Sequence, residues 1–254
     1  MHELSSTQII PIPIDNDISK GDDIADLIME AIKGRNETLL ENDVVVITHK
    51  VVSKAEGKVA DLSTIIPSEE SNKISLKTGK DPRLVELIIS QSKEIVKIER
   101  DIIITETKHG FICANAGIDA SNVGMSSNHV VLLPDNPDES ARRIRNDIKS
   151  RTKINISIII SDTFGRPFRK GQINVAIGIA GIDPIVSYIG KTDMYGKILK
   201  VTEIAIADEL ASAAELVMGK TSRIPAAIVR GCNYIAGDIS ISKVNRSKEF
   251  DLFR

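Results

Sequence analysis

Asp119 and Asp162 are the two carboxylates whose neighbours best suit a hard cation. Asp162 follows an isoleucine-rich run and sits between the hydroxyls of Ser161 and Thr163. A carboxylate at a strand end has one oxygen anchored near the backbone and another free. An adjacent hydroxyl can complete part of an octahedral oxygen shell, as Mg2+ or Mn2+ bound to phosphates requires. Asp119 lies in Asn115-Ala116-Gly117-Ile118-Asp119-Ala120-Ser121-Asn122, where small neighbours let backbone approach a ligand. Arg166, Arg169 and Lys170, framed by Gly165, Pro167 and Gly171, supply the cationic side chains that a triphosphate needs beside a dication. His49, Lys50 and Lys54 form a second cationic group. Taken singly, each signal has an ordinary reading: an Asp after a strand also serves as a turn residue or cap, and a basic loop is also a solvated turn.

Other motifs drop out. Gly190-Lys191-Thr192 and Gly219-Lys220-Thr221 match the end of a phosphate-binding P-loop, but Ile185 and Ala214 stand where an earlier glycine is required. No GxGxxG, GxSxG or HExxH pattern is present. His109 and His129 have no partner at ligand spacing, and Cys113 and Cys232 stand far apart as two reduced thiols.

The elements that must position these residues follow from hydrophobic spacing. Residues 8–14 predict an edge strand, because Pro11 and Pro13 cannot donate to a ladder. Gly21-Asp22-Asp23 opens a helix carried by Ile24, Leu27, Ile28, Ala31 and Ile32. Residues 43–48 and 156–160 predict strands buried on both faces, each discharging into a polar loop, 49–58 and 161–172. Asp81-Pro82 and Asn136-Pro137 cap two further helices. Residues 94–98, 102–106 and 110–114 predict antiparallel neighbours, with more strands at 130–133, 173–179, 184–189 and 226–229. Residues 201–218 predict the longest helix, ended by Gly219, and residues 243–254 a weakly structured tail. The expected class is α+β (mixed α/β), with two unequal lobes.

Composition narrows the function. The 254 residues carry 33 basic and 35 acidic side chains, net charge −2, which argues against a nucleic-acid coat or a membrane-surface binder. No stretch approaches the ~18–20 apolar residues of a membrane span. The start, Met1-His2-Glu3-Leu4-Ser5-Ser6, lacks the basic-then-apolar order of a secretory signal, so a cytoplasmic location is expected.

Three strings carry a family resemblance: Asn115 through Asn122, Ser161-Asp162-Thr163-Phe164-Gly165-Arg166, and Val51-Val52-Ser53-Lys54-Ala55-Glu56-Gly57. In this order they resemble the coenzyme F420-0:L-glutamate ligases, also called F420 γ-glutamyl ligases, over residues 15–230. The resemblance implies a single ligase unit over 1–254, homodimeric, with two interleaved lobes in a fold peculiar to the family. It implies GTP as co-substrate, a pair of Mn2+ or Mg2+ ions, stimulation by K+, and addition of L-glutamate to the lactyl carboxylate of F420-0. A second glutamate would then extend the chain from the γ-carboxylate.

Residue by residue, the resemblance makes Asp119 and Asp162 metal carboxylates and gives Thr163 to a second ion; the chemistry of phosphoryl transfer asks Arg166, Arg169 or Lys170 to stabilise the transferring group, and Arg166 joins the catalytic set. It makes Asn122, His49, Lys50 and Lys54 nucleotide contacts. The nucleotide loop falls on Leu216, Val217, Met218, Gly219, Lys220, Thr221, Ser222 and Arg223, and an N-terminal contact on Asp15, Asn16, Asp17 and Ile18. Two departures stand out. Asp15-Asn16-Asp17-Ile18 replaces an apolar-Pro-apolar-Ile string, which leaves a backbone contact. Lys220 stands where the family often has an acidic or amide residue, and a lysine cannot ligate metal. Competing readings are a metal-dependent GTP phosphohydrolase and a non-enzymatic nucleotide-binding scaffold.

Overall fold

Val44, Val45, Val46 and Ile47 are fully buried, and so are Ile158, Ile159 and Ile160. Successive strand side chains point to opposite faces, so an unbroken buried run means that both faces of the sheet are covered. The structure, a computed structural model, describes residues 6–121 and 128–252.

In chain order the first elements are β1 (Gln8–Ile12), α1 (Ile24–Gly34), β2 (Val44–Thr48), α2 (His49–Ala55) and β3 (Val59–Asp61). There follow α3 (Glu69–Thr78), α4 (Pro82–Ser90), β4 (Ser92–Glu99), β5 (Ile102–Thr107), β6 (Ile112–Ala114) and β7 (His129–Val131). The last are α5 (Pro137–Thr152), β8 (Ser157–Arg166), β9 (Arg169–Ala180), β10 (Val186–Ser187), β11 (Glu203–Ile204), α6 (Ile206–Met218) and β12 (Ala226–Arg230). The class is mixed α and β, as expected.

The main sheet runs β1-β12-β2-β8-β9, with β2 and β8 parallel and the other neighbours antiparallel. β1 is an edge, where Pro11 costs no ladder bond. Helix α5 packs on β8 and β9, and α6 on β9, β12 and β1. Their acidic side chains also stitch the sheet: Asp138 accepts from the Ile179 N–H (2.8 Å) and Asp208 from the Ala176 N–H (2.9 Å). The second sheet, β4-β5-β6, closes a smaller apolar cluster with Ile74, Val85, Ile88 and Ile103. Side chains of Asp23, Asp81 and Asn136 accept backbone N–H bonds at the starts of α1, α4 and α5. Among the described residues, no helix is long and apolar enough to cross a membrane.

Four local expectations are corrected. The expected polar loop 49–58 begins as helix α2. The expected loop 161–172 is a hairpin: β8 runs on through Asp162 and Thr163 to Arg166 because β9 pairs with it throughout. The longest helix is α5, with 16 residues, and α6 has 13, because Glu203 and Ile204 pair with Ser187 and Val186 instead of joining α6. The strand expected at 184–189 shrinks to the two residues of β10. Beyond residue 243 the chain carries a second 3-10 turn, Lys248–Phe250, after Ile241–Val244, whose Ile241 is part of the main core.

Candidate active site

Parallel pairing sets Thr48 opposite Ser161, so the next residues, His49 and Asp162, leave neighbouring strands side by side. His49 starts α2 with its ring only 1 % exposed. Its Nε2 lies 3.3 Å from Asp162 Oδ1 and its Nδ1 3.4 Å from Ser53 Oγ. The approach to Asp162 is out of line for a hydrogen bond, and among the described residues Nε2 has none. Thr163 N–H donates to the same Asp162 oxygen at 2.6 Å. A β-bulge lies just before: Ile160 pairs with Gly178 but Ser161 with Ala176, so β9 holds an extra residue there. Bulges re-aim the side chains that follow them, here Asp162 and Thr163.

Asp119 is held differently. Its backbone exchanges two hydrogen bonds with Val131 (3.0 and 2.8 Å), extending the β3–β7 pair. Immediately before it, Asn115, Ala116 and Gly117 have φ of 54°, 55° and 70°. Two of these are non-glycine residues in the left-handed region, a strained conformation that tends to cluster at working sites. At Gly117 (φ 70°) a Cβ would meet Leu133 Cδ1 at 2.9 Å, so a side chain there would have to push Leu133 aside. From α2, Lys50 Nζ reaches Asp119 Oδ2 at 2.7 Å and Ser121 Oγ at 2.7 Å. Burial opposes ionisation of Asp119, but bonds from Lys50 and Ser121 outweigh it and hold the carboxyl below its ordinary value.

The two aspartates meet on one wall. Asp119, Asp162, Thr163 and Gln172 line both a small cavity of about 160 Å³ and a groove of about 1230 Å³. The groove also takes in Asp15, Asn16, Asp17, Ile18, Lys50, Lys54, Met218, Gly219, Lys220, Thr221 and Arg223. Arg223 ties its two ends together, since Nη1 donates to the Asp15 carbonyl (3.2 Å) and its own carbonyl accepts from Ile14 N–H (3.2 Å).

Other candidates lie off this wall. His49 stands behind Asp162, Val217 packs on the main core, Leu216 points to solvent, and Ser222 Oγ donates to the Met218 carbonyl. Arg166 lines neither cavity, and its guanidinium donates to the Lys170 carbonyl across the hairpin (3.2 Å). Asn122 lies outside the described residues.

Sequence reasoning did not single out Asn115, Asn174 or Glu215. Among the described residues, no donor reaches the buried Asn115 Oδ1 beside the small cavity. Asn174 and Glu215 line the groove. Only the left-handed Asn-Ala-Gly turn would have marked the first, and nothing local marks the other two. Among the described residues, no cluster of three or more His, Cys, Asp or Glu side chains forms a ready metal cage. Asp119, Asp162 and the unpartnered Asn115 Oδ1 nonetheless make a hard oxygen set that fits one Mg2+ or Mn2+ completed by phosphate oxygens. Sharing Asp119 with Lys50 is no bar, because a carboxylate has about four lone-pair sites. Thr163 does not fit a second dication. Its single neutral oxygen bonds to Asn174 Oδ1 (2.7 Å) and already accepts from Lys220 Nζ (2.6 Å).

A family model described as F420-0:Gamma-glutamyl ligase matches residues 14–231, every segment that lines the groove. The chain belongs to that family. It is 46 % identical over 240 residues to the coenzyme F420:L-glutamate ligase of Methanothermobacter thermautotrophicus, covering 93 % of this chain and 94 % of that one. The ligase of the same name from Methanocaldococcus jannaschii is 48 % identical over 215 residues, 84 % of this chain and 85 % of that one. The one from Methanopyrus kandleri is 42 % identical over 259 residues and covers both chains in full. Within the F420-0:gamma-glutamyl ligase family, this chain carries a lysine at position 220 and a buried histidine behind Asp162.

Proposed function

We propose that this chain is a GTP- and divalent-metal-dependent ligase that adds L-glutamate to the lactyl carboxylate of coenzyme F420-0, then a γ-linked glutamate to the product. The observation that carries the reading is the meeting of Asp119 and Asp162 on one wall between a nucleotide-sized groove and a small polar cavity. Family membership and the names of the relatives support the acceptor and the amino acid.

A carboxylate is a poor acyl donor. In the proposed route the acceptor carboxylate takes the γ-phosphoryl group of GTP, giving an acyl phosphate and GDP. The amine of glutamate then attacks the acyl carbon, phosphate leaves, and the nitrogen sheds a proton. Lys50 and Lys54 line the groove and supply positive charge to the phosphates, and Asp119 and Asp162 hold the Mn2+ or Mg2+. The metal, when bound, neutralises phosphate charge as it builds up during transfer. The Arg166 guanidinium belongs to the hairpin of β8 and β9, and its proposed part is to meet the outgoing phosphate at the rim. K+ is a further proposed cation. A homodimer is also part of the reading: Met194, Tyr195 and Val201, on the arm beyond β10, are more than four-fifths exposed, apolar area that a second copy would cover.

The test is incubation with GTP, Mn2+, glutamate and F420-0, followed by mass spectrometry. A gain of whole glutamate units supports the reading, and Asp162→Asn should abolish the gain while leaving the melting temperature unchanged. Phosphate release without mass gain points to a GTP phosphohydrolase, and nucleotide binding without either points to a scaffold.

A further inference from the structure

Lys220 follows the glycine that ends α6 and turns its side chain back over the sheet. Its ammonium lies 2.6 Å from Thr163 Oγ1, 3.1 Å from Glu215 Oε1 and 3.4 Å from Asn174 Oδ1. Those oxygens come from three elements, β8, α6 and β9. They are linked to one another: Thr163 Oγ1 donates to Asn174 Oδ1 (2.7 Å), and Asn174 Nδ2 donates to Glu215 Oε2 (2.8 Å). Asn174 is buried, so its amide is held in one orientation, oxygen toward Lys220 and nitrogen toward Glu215.

Counting donors and acceptors defines what this cluster needs. The Thr163 proton and one Asn174 N–H are spent inside it, which leaves a hydroxyl lone pair, an amide oxygen and a carboxylate oxygen facing one point. That is an oxygen cage with net negative charge, open to the groove, and it demands a cation. The ammonium supplies one covalently. A divalent ion at the same contact distance would face a like charge on the Thr163 oxygen it must share.

We propose that Lys220 is a built-in cation of this ligase: its ammonium occupies the oxygen cage of Thr163, Asn174 and Glu215, so that the nucleotide groove takes one divalent metal ion, at Asp119 and Asp162, rather than two. The proposal rests on the ligase reading for the presence of that one ion. It makes Lys220 a tethered charge for the phosphates, always present and independent of the metal concentration.

The experiment is a Mn2+ titration of the intact protein with saturating GDP, in which free Mn2+ is counted by electron paramagnetic resonance. The wild type should bind one Mn2+ per chain. Lys220→Gln, which removes the ammonium and adds an amide oxygen, should bind two, and Lys220→Arg should remain at one. Two ions in the wild type, or one in Lys220→Gln, would overturn the proposal, and so would none in the wild type. The glutamate-addition assay on the wild type judges the ligase reading separately, because mass gain with a stoichiometry of two would retain the enzyme and remove the role given to Lys220.

Discussion

The buried imidazole of His49 abuts Asp162 from the core side, Nε2 to Oδ1 at 3.3 Å, while the carboxylate faces the groove. Parallel pairing of β2 with β8 brings the two residues side by side, since both follow the register pair Thr48 and Ser161. We therefore propose His49 as a positioning residue that acts through Asp162.

Partners that hydrogen-bond a metal-binding side chain are commonly worth about 10–100-fold in metal affinity or activity, and His49, which packs on Asp162 without such a bond, should fall at the lower end, about 10-fold. His49→Gln should lower kcat by about that factor while leaving the KM for GTP within about twofold, because the ring does not line the groove. Steady-state kinetics checks it. A raised KM with unchanged kcat would make His49 a nucleotide contact instead.

Arg230 closes the far end of the sheet. Its guanidinium donates to both oxygens of Asp43 (2.9 Å each), to Glu37 Oε1 (3.0 Å) and to the Thr38 carbonyl (2.6 Å). The bond to Asp43 raises the affinity of Arg230 for its proton, against the effect of burial. Asp43 is 1 % exposed, so Arg230→Met strands a buried carboxylate and should cost about 3–5 kcal/mol. The double variant with Asp43→Asn should recover part of the loss. Urea denaturation of the three proteins measures both effects.

Gly178 sits where β9 approaches α5 closely. A Cβ there would meet the Pro137 carbonyl carbon at 2.5 Å, and backbone has little room to yield. Gly178→Ala should therefore lower stability by about 1–3 kcal/mol, read as a fall in melting temperature. Gly165→Ala, with nothing within 4 Å, is the matched control and should change little.

Burial raises the Asp208 carboxyl above its ordinary 3.8, and the Ala176 N–H bond offsets only part of that. The folded state thus binds this proton more tightly than the unfolded state. Stability from this group falls as pH rises from 3.8 through the folded value, and the cost persists at neutral pH. Asp208→Asn keeps an oxygen for Ala176 and has no charge to desolvate. It should be more stable than the wild type at neutral pH, with the difference closing as pH falls toward 3.8. Denaturation curves across that range decide it; a pH-independent difference would rule out titration as the cause.

Local sequence determined the parts of this protein that depend on consecutive residues. The apolar runs of β2 and β8, the prolines of the edge strand and the caps Asp23, Asp81 and Asn136 act within a turn or a strand, and each is legible there. Helix α2 was not legible: Thr48 makes no side-chain cap bond and the helix has only seven residues, so packing behind β2 holds it. The polar stretch after Ile160 reads as a loop because composition is silent about the partner strand that β9 provides. Residue types and family motifs together brought out Asp119, Asp162 and Lys50, but not that His49 stands behind the wall or that Lys220 reaches Thr163. Those relations join residues far apart in the chain through distances of a few ångströms, and only the folded sheet, with its register, its bulge and the return of α6 across it, brings them within reach.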